Sequence, residues 1–268
     1  MNEQLFMTKK YTGVALAALM ATGLFAATAM AATTVVTPSN TQGWNMSDTR
    51  TGGAVNYVTD STSPYPNGAL QLTTDATNAA KAQYMHAAAS STMLASVDEL
   101  AYHTKQVAGP AHAAASYQLI VDLNGNATGG FTTLVYEPYH NGTVTQGVWQ
   151  QWDVDAGKFW SSRTFSEGSC SVTSGAGGAP FYTLSELKAD CPDATVLGFG
   201  VNVGTFNPGY NVYVDGVNFD GDIYNFEVTA PVTQPTNADQ CKKGGYKDFS
   251  NPTFKNQGQC VSSMNNQK

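Results

Sequence analysis

Charge is what this sequence has least of. Charged residues fill 12% of its 268 positions, about half of the ~25% usual in globular domains. Lys and Arg number 13 against 20 Asp and Glu, a formal net charge of −7. The deficit of cations is concentrated. From Ala32 to Gln240 there are six basic and eighteen acidic residues, a net of −12. Such a balance argues against a nucleic-acid partner, whose phosphates need a basic surface. Chemical signatures are also missing. No G-x-S-x-G elbow, H-E-x-x-H pair, phosphate loop or dinucleotide fingerprint occurs. The histidines His86, His103, His112 and His140 are scattered. After residue 31 the Glu are few: Glu99, Glu137, Glu167, Glu186 and Glu227.

Long apolar runs are scarce as well, and the one present is at the start. Lys9 and Lys10 precede an apolar stretch, Val14 to Ala27, and Ala29-Met30-Ala31 offers a small-residue cleavage site. That order describes a secretory signal peptide over residues 1–31, with a mature chain from Ala32. The rival reading is an uncleaved membrane anchor. No further spanning stretch follows, so a secreted or cell-surface location is expected.

In place of charge the chain has Thr, Ser, Asn, Gln and Gly. Short alternating apolar runs, broken by Gly, Asn, Asp and Pro, predict strands at Val55–Thr59, Ala69–Thr73, Lys81–Ala87, Leu100–Lys105, Ser116–Leu123, Thr132–Glu137, Val148–Val154, Leu197–Val203, Tyr210–Val214 and Ile223–Val228. Thr183 and Glu186 form a capping box ahead of Leu184 and Leu187, so one short helix is expected, ending at Cys191-Pro192. The expected fold is all-β: an antiparallel jelly-roll-like β-sandwich over residues 32–228 with that helix. Pro231 and Pro235 mark an extended linker, 229–240. A basic tail, 241–268, follows, with five Lys against Asp248, a net of +4. The four cysteines allow three pairings. The sequential one, Cys170–Cys191 and Cys241–Cys260, closes two short loops and is the expectation, in keeping with an oxidising compartment.

Val212-Tyr213-Val214-Asp215-Gly216-Val217, followed by Tyr224-Asn225-Phe226-Glu227, resembles the closing strands of secreted bacterial jelly-roll modules, where a V-D-N-V strand precedes the last one. Gly216 stands where those modules carry Asn. Many such modules bind carbohydrate or are of the concanavalin-like type, and the resemblance implies that fold. The tail, Cys241-Lys242-Lys243-Gly244-Gly245-Tyr246 through Phe254-Lys255-Asn256-Gln257-Gly258-Gln259-Cys260-Val261, resembles a Cys-framed C-K-x-G-G-W…F-K-N-Q-G-Q-C-V motif found on otherwise different secreted bacterial proteins. Tyr246 replaces its Trp. The resemblance implies an exported bacterial protein.

Two constellations bear on function. Asp122, Asn124 and Asn126 place oxygens at alternate positions of a loop, as calcium sites do; the same residues also suit an Asx-rich turn. Trp152, Tyr136, Tyr139, Asn141 and Asp153 share one rim if the strands at 132–137 and 148–154 pair. Exposed aromatic faces with amides and carboxylates beside them suit sugar rings; core packing is the alternative. The expected function is non-catalytic binding of a carbohydrate or cell-envelope polymer. The alternatives are a surface adhesion protein anchored by its basic tail, or a glycan-cleaving enzyme pairing Glu137 with Asp153 or Asp155.

Overall fold

A computed structural model describes residues 32–90, 92–110, 113–125, 128–229, 234–247, 249 and 253–265. The expected signal segment, residues 230–233 of the expected linker and Asn126 lie outside the described residues. No described helix is long and apolar enough to cross a membrane.

The strands are β1 (Thr33–Val36), β2 (Gly53–Thr59), β3 (Gly68–Thr74), β4 (Ala82–Ala87), β5 (Leu100–Ala108), β6 (Ser116–Asp122), β7 (Phe131–Tyr136), β8 (Gln150–Asp153), β9 (Lys158–Ser161), β10 (Phe165–Glu167), β11 (Cys170–Val172), β12 (Tyr182–Thr183), β13 (Thr195–Val203), β14 (Asn211–Phe219) and β15 (Asp222–Phe226). Seven of them form one sheet, in which β14 is paired with β3, β5 and β15, β2 lies outside β3, β8 outside β5 and β1 outside β15. Six form the second sheet in the order β12-β9-β7-β6-β13-β4. Apart from the parallel β1–β15 pair, the ladders of both sheets are antiparallel. The β-sandwich expected from the sequence is the architecture observed.

Period two dictates the packing. On β6, Tyr117, Leu119 and Val121 are buried inward, while Gln118 and Ile120 remain half-exposed. The inward set joins one hydrophobic core with Leu70, Leu72, Tyr102, Leu134, Phe159, Phe199, Val212 and Phe226. Polar tips in that core reach across it. The Tyr117 hydroxyl donates to the Asn218 carbonyl of the facing sheet (2.9 Å), and Tyr57 and Tyr84 share a hydrogen bond at 2.8 Å. Phe199 stacks on Phe219 at 4.1 Å, contributing roughly 0.5–1.5 kcal/mol beyond burial.

The helix α1 (Pro138–Asn141) is a single turn after β7. The helix α2 (Leu184–Asp190) begins as the capping box predicts: Glu186 N–H donates to Thr183 Oγ1 (3.2 Å) and Thr183 N–H to Glu186 Oε2 (2.7 Å). It ends at Cys191, which is disulfide-bonded to Cys170 on β11. In the tail, Cys241 is bonded to Cys260 on α3 (Gln257–Asn265), and Phe249 and Phe254 pack against this bridge as a small separate core.

At Asp215 the strand β14 changes partner. Asn211–Val214 pair with β3, Val217–Phe219 with β15, and the ladder to β5 carries a bulge between Asp215 and Asn218. Gly216 sits in that bulge at φ 55°, and a Cβ there would stand 2.2 Å from the Tyr65 ring. Asn tolerates such a φ, but only Gly fits beside Tyr65, which accounts for the departure from V-D-N-V. The fully buried Asp215 carboxylate satisfies the backbone freed by the switch: Oδ1 accepts from Gly216 N–H (2.8 Å) and Phe226 N–H (3.0 Å), and the Ser63 hydroxyl donates to Oδ2.

Burial pushes Asp215 up to about 6, with its hydrogen bonds pulling back, and Glu227 up to about 7, also chiefly by burial. Raised folded-state values mean that both groups contribute most stability below the free carboxylate range and lose it as pH rises through about 6 and 7. His103, held below 6.5 by burial, acts in the opposite sense as pH falls. The melting temperature of the Asp215→Asn variant is therefore expected to fall less between pH 5 and pH 8 than that of the parent. Parallel pH profiles in thermal unfolding would contradict this.

Candidate functional site

The face of the six-stranded sheet turned away from the core lines an open groove of about 910 Å³. Its floor is a product of strand parity. Because β7 pairs with β6 and β9, and β13 with β6 and β4, one row runs Trp160, Val135, Gln118, Gly200, Met85 across the sheet. A second row runs Thr133, Ile120, Gly198, Ala87, and a third Ser116, Asn202, Gln83. Gly200 is required: a Cβ there would stand 2.3 Å from the Tyr84 carbonyl.

The amides of the floor fall into two kinds. Asn202 Nδ2 donates to Gln83 Oε1 (3.1 Å) and Gln83 Nε2 to the Ser47 carbonyl (3.1 Å), so these two fix each other. Gln118, at the centre, makes no side-chain hydrogen bond among the described residues, and its amide faces the groove. A free amide over a flat floor is an orienting contact for a polar ligand.

The wall beside β9 is organised by Glu137, the residue after β7. Its Oε2 accepts from Tyr139 OH (2.8 Å) and Trp160 Nε1–H (3.1 Å), and His140 Nε2 lies 3.5 Å away. Burial raises the Glu137 carboxyl, and the hydrogen bonds from Tyr139 and Trp160 pull it back. Tyr139, in turn, has its hydroxyl held above the usual phenol range by burial and by this carboxylate. One oxygen thus sets the orientation of two aromatic side chains at the groove. Further aromatic surface comes from Phe131 and from Phe206, 78% exposed. Phe206 adopts φ 64°, an uncommon and strained choice for a bulky residue. It is held by a backbone bond to Asn78 (2.9 Å).

Of the rim expected from the sequence, only Tyr139 is in this groove. Trp152 and Tyr136 are corrected to core residues. The expectation required β7 to pair with β8, whereas β8 pairs with β5 in the other sheet. Trp152 therefore faces inward, 7% exposed, with Nε1–H donating to Thr104 Oγ1 (2.8 Å). Tyr136 is 2% exposed, since it shares parity with the inward Leu134. Asn141 is consumed by the backbone: Nδ2 donates to the Glu137 and Lys158 carbonyls, and Oδ1 accepts from Lys158 N–H (2.8 Å). Asp153 is exposed, but on β8, outside the groove. The carboxylate pairs considered for hydrolysis are likewise not assembled as one site. Asp153 and Asp155 adjoin the seven-stranded sheet, Asp155 accepting from Leu100 N–H (3.0 Å), while Glu137 faces outward from the six-stranded one.

The expected rim lacks the groove residues Phe131, Trp160, Gln118 and Phe206. Parity singles out Phe131 and Gln118 once the inward face of β6 and β7 is known. Trp160 needs β9, and no sequence signal marks Phe206.

The 122–130 loop has part of the expected donor set. Asp122, 8% exposed, and Asn124 turn their Oδ1 atoms toward Gly130, where a Cβ would stand 2.3 Å and 2.1 Å from them. Asn124 Nδ2 donates to Glu167 Oε2 (2.9 Å), and its buried Oδ1 has no hydrogen-bond partner among the described residues. An oxygen-only set with one orphaned acceptor fits a hard cation such as calcium.

No protein-family model matches this chain, and no curated protein matches it in sequence. Solved structures that share part of its course include the following. A family 11 carbohydrate-binding module from Clostridium thermocellum, in complex with a β-1,3-1,4-mixed-linked tetrasaccharide, is 13% identical with a TM-score of 0.40, covering 69% of this chain and 91% of its own. The family 11 module of the cellulosomal cellulase Lic26A-Cel5E of the same organism is 12% identical with a TM-score of 0.38, covering 69% and 89%. A structure of carbohydrate-binding modules from the β-sandwich superfamily is 13% identical with a TM-score of 0.35, covering 66% and 56%.

Proposed function

We propose that this chain is an exported, non-catalytic binding protein for a carbohydrate polymer, which lies along the outer face of the six-stranded sheet. The observation that carries this reading is the groove itself. It is open and long, it is walled by aromatic side chains whose orientation Glu137 holds, and its floor has the Gln118 amide, unpartnered among the described residues. Sugar rings offer flat C–H faces and rims of hydroxyls, and a site for them needs aromatic platforms with fixed polar groups between. Two disulfides suit a protein working outside the reducing cytoplasm. Retention of the purified chain, residues 32–268, on insoluble polysaccharides and cell-wall sacculi tests the reading. Trp160→Ala is expected to weaken retention about tenfold, equivalent to about 1.4 kcal/mol, while Asp153→Ala on the other sheet leaves it unchanged. Equal retention of the Trp160→Ala variant and the parent removes the groove as the site.

The 122–130 loop is proposed as a structural calcium site that uses Asp122, Asn124 and the neighbouring Glu167. A ligand that binds only the folded state raises its stability. Calcium is therefore expected to raise the melting temperature, EDTA to reverse the gain, and Asn124→Ala to abolish the response. A melting temperature indifferent to calcium in the parent chain counts against the site.

A further inference from the structure

The placement of cations singles out the groove. Residues 32–240 contain six basic side chains: Arg50, Lys81, Lys105, Lys158, Arg163 and Lys188. Three of them, including both arginines, line the groove, against two carboxylates, Asp48 and Glu137. Two of the others are paired elsewhere, Lys105 with Asp60 (2.7 Å) and Lys188 with Asp98 (3.0 Å). A stretch of net −12 thus collects half of its cations on one surface, where they outnumber the acids.

The cations stand at opposite corners. Phe131 begins β7 opposite Asp122, while Lys81 precedes β4 and is bridged to Arg50. Three strand spacings and about eight residues of strand separate the two corners, on the order of 25–30 Å. At the first corner the Arg163 guanidinium lies 4.9 Å from the Phe131 ring centre and has no carboxylate within ion-pair distance among the described residues. Asp122, close by in the ladder, turns its Oδ1 toward Gly130 and the 122–130 loop instead. A guanidinium stacked on an aromatic ring keeps its edge free for a planar, bidentate acceptor. At the second corner Asp48 bonds Lys81 through Oδ2 and lies 3.7 Å from Arg50 Nε through Oδ1, so one carboxylate positions two cations and neutralises one.

We infer that the polymer recognised in this groove is a polysaccharide bearing carboxylates, a uronic-acid chain, whose acid groups meet Arg163 at one corner and Arg50 with Lys81 at the other. The inference rests on the carbohydrate reading above and names the class of that ligand. A neutral glycan gives these cations nothing to neutralise. A nucleic acid, with a charge every ~1.7 Å of duplex, would set a dense polyanion against the acidic surroundings. A uronate chain carries isolated carboxylates on a backbone of hydroxyls, matching separated cations with an amide floor and aromatic walls between them.

The test is equilibrium binding of the chain of residues 32–268 in EDTA, with polygalacturonate, alginate, fully methyl-esterified polygalacturonate, a neutral mixed-linkage β-glucan and dextran sulfate as probes. At least one uronate polymer is expected to bind at least tenfold more tightly than the esterified and neutral polymers. Its affinity should fall at least tenfold from 50 to 500 mM NaCl, as screening shortens to a few ångströms. Arg163→Gln should lose about tenfold toward that polymer and at least several-fold less toward the esterified one. Arg50→Gln gives a second, independent corner with the same expectation. Tighter binding of the neutral glucan, without salt dependence, overturns the inference and leaves the carbohydrate reading standing. Dextran sulfate binding more tightly than both uronates overturns the assignment to carboxylates. Binding of none of the five polymers overturns the inference and removes the support for the carbohydrate reading together.

Discussion

A strand has two faces, and a two-layer sandwich can bury only one face of each sheet. The core and the outer groove both follow from which residues the six-stranded sheet turns inward. Tyr117, Leu119 and Val121 on β6, with Leu134 and Tyr136 on β7 and Phe159 on β9, went to the core. Gln118, Val135 and Trp160 were left on the other face by the same parity. A one-residue slip of β7 would exchange Tyr136 for Val135 in the core and turn Tyr136 into the groove. The site is therefore a consequence of register, and the tyrosine hydroxyls that cross the core help to hold it. Tyr117, bonded to the Asn218 carbonyl, ties the register of β6 to the bulge in β14.

That bulge is the second fixed point. A strand that changes partner exposes backbone groups in the interior, where an unpaired N–H costs as much as a lost hydrogen bond. Asp215 meets the need with one carboxylate, and Gly216 provides the turn. Glu137 plays a comparable part at the groove, where a single oxygen orders Tyr139 and Trp160. In both places a partly desolvated carboxylate is kept because neighbouring donors are aimed at it, and in both its pKa is raised.

The β class, the strands β2 to β8 and β13 to β15, the capped helix and the sequential disulfides could be read from the sequence because each has a local cause: alternation, a T-x-x-E box, short loop spacing. Strand pairing has no such cause. Trp149-Gln150-Gln151-Trp152 follows β7 in sequence, and adjacency suggested a hairpin; instead β8 crosses to β5 and β9 returns to pair with β7. That single difference moved Trp152 and Asp153 to the other sheet and brought Trp160 to the groove. Tyr139 was found because it lies on the turn immediately after β7, where its position depends little on pairing. Phe206 was not, because its left-handed backbone is held by a long-range bond from its N–H to the Asn78 carbonyl. The short strands β9 to β12 lacked enough alternating residues to be read at all.

The central claim is that the outward face of the six-stranded sheet is the binding surface. The four tryptophans report on it separately: Trp160 lines the groove, Trp44 and Trp152 are in the core, and Trp149 precedes β8. Following the four indole N–H resonances of ¹⁵N-labelled protein during titration with soluble polysaccharide fragments reads the surface directly. The account predicts that the Trp160 indole shifts, as its bond to Glu137 is disturbed, together with the backbone amides of Gln118 and Val135, while Trp44 and Trp152 stay in place. Shifts confined to Trp149, Trp152 and the neighbouring β8 amides, with Trp160 unmoved, would place the ligand on the other sheet and contradict it.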